Sequence, residues 1–298
     1  MAKAIYRRCA LPLDVSIGKQ VPKDKKPDMD ALLFVDTNIL LDFYRIRKSD
    51  ISMKYLEQLE ACKKRLIIGS QIEMEYKKNR QKVIIESLTQ FSTPDWGKLS
   101  TPALVAGLQA SKMIEKKRKE ITDQFKIVNT KIQKILTNPS QNDPVYHSLQ
   151  RLFKSNSPYN LNRESKKRFK IRRLARKRFC LGYPPRKSND TSIGDAVNWE
   201  WIVQCAIDSG KDIVVVTRDS DYGVIYNDQS YLNDWLTQEF KQRVSQRRKI
   251  FLTHKLSVGL KIVHASVTEE MEKAEQQLIE SQNISDDFHQ KNLGEFTD

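Results

Sequence analysis

Two runs of apolar residues that do not alternate set the tightest limit on this chain. Ala31 to Val35 and Ile213 to Val216 are each continuously apolar, as in strands buried on both faces of a parallel sheet. Each run then gives way to acids: Asp36 directly, and Asp219 with Asp221 after Thr217 and Arg218. In an open α/β sheet, the carboxyl ends of strands are where ligands and chemistry sit. A plainer role is also open to Asp36, since Asp36 or Thr37 can cap the helix expected next.

The order of elements supports such a sheet. Ile51, Tyr55, Leu59 and Cys62 keep one face of a helix opened by Ser49 or Asp50. Leu66 to Gly69 is a second short strand, and Ser70 opens a helix that offers Ile72, Tyr76, Val83 and Ile84 to a core. Strand, helix, strand, helix is the signature of a parallel sheet with right-handed crossovers. After an interruption the pattern resumes. Ile193, Val197, Trp201 and Cys205 space out a helix before the Asp212–Thr217 strand, and Leu232, Trp235, Leu236 and Phe240 space out another. Ile250 to Leu252 reads as the last strand, with a helix through Leu256, Leu260 and Val263.

The interruption carries the charge. The chain has 52 Lys and Arg against 37 Asp and Glu, a net +15. Residues 112–187 alone hold 22 cations and 5 acids, so the excess is local. Its densest part is Arg163, Lys166, Lys167, Arg168, Lys170, Arg172, Arg173, Arg176, Lys177 and Arg178. Phe169, Ile171, Leu174, Ala175 and Phe179 are interleaved, which gives a basic amphipathic helix. So many like charges repel without a counter-ion, and the run reads as an anion-binding face. A membrane surface is its main competitor. The expected division is an irregular leader over 1–30, α/β halves over 31–90 and 188–265, and a basic helical insertion over 91–187. An acidic tail over 266–298 completes it. Residues 268–298 hold nine acids and two lysines with few apolar anchors, so the tail is expected to be partly disordered or folded back on the insertion.

Several function classes fall away. No apolar run reaches the ~18 residues of a membrane span, and residues 1–20 lack the apolar core of a signal peptide. The four cysteines form no C-x-x-C pair, which argues against a zinc site or a disulfide framework and for a reducing cytoplasm. No histidines stand at i, i+4, and no phosphate-binding glycine loop or G-x-S-x-G motif is present. Asp42 and Asp50 read as solvated helix positions.

What is left is a set of acids that the sheet would bring to one edge. Asp36 and Asp219, with Asp221, end strands; Glu73 and Glu75 open the second helix; Asp195 opens the helix after the insertion. Carboxylates packed together raise one another's pKa. A hard divalent cation, Mg²⁺ or Mn²⁺, resolves that repulsion with oxygen ligands and waters. Acids that hold a metal, beside cations that hold a backbone, make sense for a nuclease.

On these residues the chain resembles the PIN-domain family, more narrowly its bacterial PIN-like branch with a long helical insertion. The motifs that carry the resemblance are Val35-Asp36-Thr37-Asn38, Ile72-Glu73-Met74-Glu75, Gly194-Asp195-Ala196 and Val216-Thr217-Arg218-Asp219-Ser220-Asp221-Tyr222. It implies a Rossmann-like three-layer α/β domain with a central parallel sheet, interrupted by the basic α-helical insertion. It further implies a Mg²⁺- or Mn²⁺-dependent endoribonuclease that leaves 5′-phosphate and 3′-hydroxyl ends. The family's acids fall on Asp36, Asp195 and Asp219, and its second acid on Glu75 with Glu73 close behind. Asn38 and Thr217 match polar helpers near the metal, and Asp221 an outer ligand. RNA is the expected partner ahead of DNA. A flap-cutting DNA nuclease on the same fold, or a non-catalytic RNA-binding module, are the alternatives. A toxin or antiviral role fits the class, but no residue names a target, an inhibitor or a partner protein.

Overall fold

The structure is a computed structural model that describes residues 30–88, 95–96, 102–186 and 192–294, with side chains as far as Gln282. The leader before Asp30, and Phe91, Pro94, Gly97 and Lys187, lie outside these residues. The first half runs β1 (Ala31–Val35), α1 (Thr37–Leu41), α2 (Ser49–Ala61), β2 (Leu66–Gly69) and α3 (Ser70–Leu88). Next come α4 (Gln109–Thr137), α5 (Pro139–Asn142), α6 (Pro144–Phe153), β3 (Asn160–Leu161) and α7 (Lys167–Cys180). The chain continues through α8 (Gly194–Ser209), β4 (Asp212–Val216), β5 (Gly223–Tyr226), β6 (Gln229–Leu232) and α9 (Asp234–Arg243). It ends in β7 (Ile250–Thr253), α10 (Leu256–Ile262) and α11 (Glu269–Gly294).

Five parallel strands in the order β3-β2-β1-β4-β7 make the central sheet, and helices flank it. The two apolar runs are its middle. β1 pairs with β4 in register, Leu33 beside Val214 and Val35 beside Val216, and every residue of β1 is buried. Covered on both faces, these strands have no use for alternation. Among the described residues, no helix is long and apolar enough to cross a membrane.

The insertion is not helical throughout. Asn160–Leu161 pairs in parallel with β2 and forms one edge of the sheet, a strand of two residues too short to leave a pattern. A buried ion pair ties the insertion to the core as well: Arg80 on α3 donates to Asp143, which also caps α6. The Tyr44 hydroxyl donates to the same carboxylate at 2.7 Å. The insertion is thereby built into the sheet that it interrupts.

α7 and α8 run antiparallel. Lys167 reaches Asp208, Lys170 reaches Gln204 and Arg178 reaches Glu200. Ile171 and Ala175 are fully buried, so part of the apolar side of α7 is taken up by the protein, while Phe169 stays exposed. Arg178 corrects the sequence expectation. It is buried, not free for a phosphate, and donates to Glu200, to Glu239 and to the Pro184 carbonyl. Arg243 closes the network with bonds to the same two glutamates. One cation in the run therefore faces inward, because α8 and α9 present acids there.

The described part of the acidic tail is helical, and α11 packs on α2 and α10. Met271, Leu278 and Ile279 are buried, and Glu275 between them accepts the Leu256 and Ser257 amides that open α10. Three apolar residues at helical spacing and one buried carboxylate suffice to hold it.

Arg178→Ala should lower the free energy of unfolding by about 3 kcal/mol in a urea melt. That is the low end for a broken buried pair, because Arg243 stays on Glu200. A loss below about 1 kcal/mol would show that Arg243 alone satisfies both glutamates.

Candidate active site

The in-register pairing of β1 and β4 decides the site. Asp36 follows Val35 and Thr217 follows Val216 on neighbouring strands, so both polar residues leave the sheet at the same edge. The Thr217 hydroxyl donates to Asp36 Oδ2 at 2.6 Å, and the Asn38 amide donates to the same oxygen at 3.2 Å. The Thr37 backbone donates to Asp36 Oδ1 at 2.6 Å. Asp36 is thus both the cap of α1 and a member of the site. Its donors are neutral. Burial pushes its carboxyl up to about 6; the Thr217 hydroxyl pulls against that, while Asp219 and Glu75 add to the rise.

Glu75 and Glu73 part company. The Thr37 hydroxyl donates to Glu75 Oε2 at 3.0 Å, and Gln71 donates to its other oxygen at 2.7 Å. Glu75 also lies against Gly194, where a Cβ would strike its carboxylate. Glycine at the first position of α8 lets the two helices close around the acid. Glu73, half-buried, pairs instead with Lys77 at 2.6 Å.

Asp195 sits in the first turn of α8, one residue beyond that glycine. Asp219 follows β4, and its amide bonds the Thr217 hydroxyl at 3.0 Å. Asp221 is half-buried in the same turn. Tyr222, at the end of the same turn, is fully buried. Burial pushes its phenol well up, and Asp195, Asp36, Glu75 and Asp219 all push it further. Its hydroxyl also meets the Asp195 carbonyl at 3.5 Å. The four acids thus come from four separate elements.

These groups suit a hard cation. Every charged donor is a carboxylate oxygen. Asn38 Oδ1 is a buried acceptor for which no hydrogen bond is made, while the Nδ2 of the same amide is engaged by Asp36 and Thr217. Among the described residues, no group of three or more acid, His or Cys side chains is placed to hold a metal ion, so the fit lies in donor chemistry and charge alone.

Two functional neighbours went unread in the sequence. Asp42 is buried, not solvated, because a tight 3₁₀ turn over Asp42–Tyr44 points it inward. It accepts from Arg45, Arg218 and Gln282. Arg218, between Thr217 and Asp219, also faces Glu275 of α11 at 3.9 Å. The signal available was a single arginine inside an otherwise acidic turn. Asp50 is exposed, as read.

Of the ten cations singled out, Arg163, Lys166, Lys167, Lys170, Arg172, Arg173, Arg176 and Lys177 are exposed and Arg168 is half-buried. Because α7 and α8 are antiparallel, the carboxyl end of α7 approaches the end of α8 that bears Asp195.

A central parallel sheet flanked by helices, with acids following its strands at the carboxyl edge, is the architecture of a PIN-like fold. The family model for the PIN domain matches residues 33–222, nearly two-thirds of the chain, and the chain belongs to the PIN-domain family. PIN domains are in general metal-dependent nucleases. No curated protein and no solved structure gives a significant match to the chain.

Asp36 offers a test through pH. Its folded pKa of about 6 stands above the unfolded value of about 3.9. A raised acid destabilises the fold above its folded pKa, and the penalty fades as pH falls through about 6 towards 4. In excess chelator, the stability of Asp36→Asn relative to the native chain should therefore be more favourable at high pH. The difference should shrink by on the order of 1 to 2 kcal/mol between about pH 7.5 and about pH 4.5. A difference that does not vary with pH would mean that Asp36 is ionised throughout.

Proposed function

We propose that the chain is a divalent-metal-dependent endoribonuclease that works on RNA with Mg²⁺ or Mn²⁺. The observation that carries the reading is the hydrogen-bonded sheet edge that links Asp36 through Thr217 to the Asp219 amide and sets Glu75 against Thr37 and Gly194, next to Asp195, with the exposed cations of α7 leading towards it. Those four side chains would hold the ion, with Asp221 outside them. A divalent cation there supplies Lewis-acid stabilisation of the phosphodiester and lowers the pKa of a bound water.

The chain's own residues do the rest. Thr217 and Asn38 hold Asp36 with its ring of acceptors fixed. Thr37 and Gln71 orient Glu75, which preorganises the acids before a ligand arrives. Arg172, Arg173, Arg176 and Lys177, all exposed, bind the phosphate backbone and set the register of the strand. RNA is favoured over DNA by the family resemblance of the four motifs. The described cysteines are free thiols, which supports a cytoplasmic setting.

Asp219→Asn should reduce divalent-dependent cleavage of labelled RNA by at least about a hundredfold, the scale of losing a group that positions transition-state charge. The fold should survive, because the change relieves repulsion. Calcium, larger and less demanding in geometry, should support little turnover. The same assay on DNA separates the flap-type alternative, and absence of cleavage with any divalent ion would leave a binding module. Full activity in excess chelator would falsify the mechanism.

The basic face has its own test. Replacing Arg172, Arg173, Arg176 and Lys177 with Gln should flatten the slope of log affinity against log salt by about 0.7 per lost contact, up to ~3 in all. Turnover at saturating RNA should change far less. An unchanged slope would remove α7 from the interface.

A further inference from the structure

The turn that carries Asp219 and Asp221 runs straight into a hairpin. β5 and β6 pair antiparallel, with Val224 opposite Tyr231 and Tyr226 opposite Gln229. Asn227 and Asp228 between them both have positive φ, 48° and 60°, as a tight two-residue turn requires. Opposed residues share a face, so Val224, Tyr226 and Tyr231 stand together. That face is open: Val224 is 63% exposed, Tyr226 66% and Tyr231 48%.

The other side of the hairpin is anchored. Ser230 Oγ lies 2.9 Å from His254 Nδ1, and Asp228 lies 3.1 Å from His254 Nε2. Lys255 bonds Asp228 as well. Residues at the end of β7 therefore pin the ribbon, while the Tyr231 hydroxyl donates to Gln229 at 3.0 Å and steadies its ring. At the base, the Asn233 backbone N–H donates to the carbonyl of Tyr222, which follows the acid turn. Asn233 caps α9, and Trp235 in its first turn lies 5.0 Å from the Tyr183 ring, just past α7. Exposed aromatic rings thus stand just past the basic helix, at the start of α9 and on the hairpin that follows the acid turn.

A rigid aromatic face on a strongly basic chain suits unpaired nucleobases, whose flat rings stack on Tyr without regard to sequence. We propose that the outer face of the β5–β6 hairpin is a base-stacking subsite. Tyr226 and Tyr231 take unpaired bases of the strand whose backbone the α7 cations hold. The inference rests on the nuclease reading and adds to it the place where bases are gripped. The occupant follows from continuity with the acid turn and from the charge of the neighbouring surface. A duplex keeps its base faces stacked inside and offers this subsite nothing.

The test is binding of a labelled twelve-base single strand and of a matched duplex to the full-length chain in excess chelator, where strands are not cut. The variants are Tyr226→Ala with Tyr231→Ala, the matching pair of Phe substitutions, and Tyr226→Ala alone should the double variant melt early. The Ala pair should weaken single-strand binding at least ~30-fold, with duplex affinity unchanged and the salt slope intact. The Phe pair should bind like the native chain. Unchanged affinity in the Ala pair, or equal losses for strand and duplex, would overturn the subsite while leaving the nuclease reading standing. A native chain that binds neither nucleic acid would overturn both. Altered sedimentation of the Ala pair with unchanged strand affinity would make the hairpin a protein-docking face and also overturn the proposal.

Discussion

Everything in this structure turns on a buried carboxylate held by neutral donors. Asp36 could have been paired with one of the many cations that the chain carries. Its bonds come instead from a hydroxyl and two amides. A guanidinium there would have cancelled the charge and lowered the pKa. Neutral donors orient the oxygens without discharging them, and burial beside Asp219 and Glu75 leaves the group raised. Folding thus preserves an electrostatic deficit at the sheet edge. The in-register β1–β4 pairing places that deficit, while Gly194 at the start of α8 lets the remaining acids approach.

The cations are disposed by the opposite rule. Where one must enter the core, it meets acids at once: Arg80 meets Asp143, Arg178 meets Glu200 and Glu239, and Arg218 meets Asp42. Breaking such a pair strands a charge in low dielectric, a loss far larger than that of any surface pair. These three pairs join the insertion to α3, α7 to α8 and α9, and the turn after β4 to Asp42. The exposed cations of α7 keep their charge for solution. Sign and depth together separate structural arginines from those that stay at the surface.

That separation explains what the sequence could and could not disclose. Continuous apolar runs identify β1 and β4, and the acids that follow them were legible because strand ends need no tertiary knowledge. Glu75 could be told from Glu73 only by the direction of each side chain from α3, which depends on how that helix meets α1 and α8. Arg178 is one basic residue among ten and carries no mark of its own, since its burial is fixed by glutamates on α8 and α9. The two residues of β3 are too few for any periodicity. The Tyr226-Asn227-Asp228-Gln229 turn was a readable hairpin signal, hidden because the acids before it drew the reading towards a strand end. Asp42 looked solvated because a regular helix would have left it so; the 3₁₀ turn does not.

The C-terminal helix shows the same physics at longer range. Its composition suggests a solvated acidic tail, yet Glu275 is buried and serves several donors: the two amides that open α10 and the Tyr55 hydroxyl. Free amides at a helix start are partial positive charges, and a carboxylate set into them is stabilised. The same carboxylate faces Arg218, whose guanidinium burial pushes down in pKa and Glu275 pulls back up. Arg218 is the residue between Thr217, which holds Asp36, and Asp219, and its other acid is Asp42. Gln282, two turns further along α11, bonds that same Asp42. One helix thus supports both partners of the arginine beside Asp219, and the family match, which ends at Tyr222, stops short of that helix.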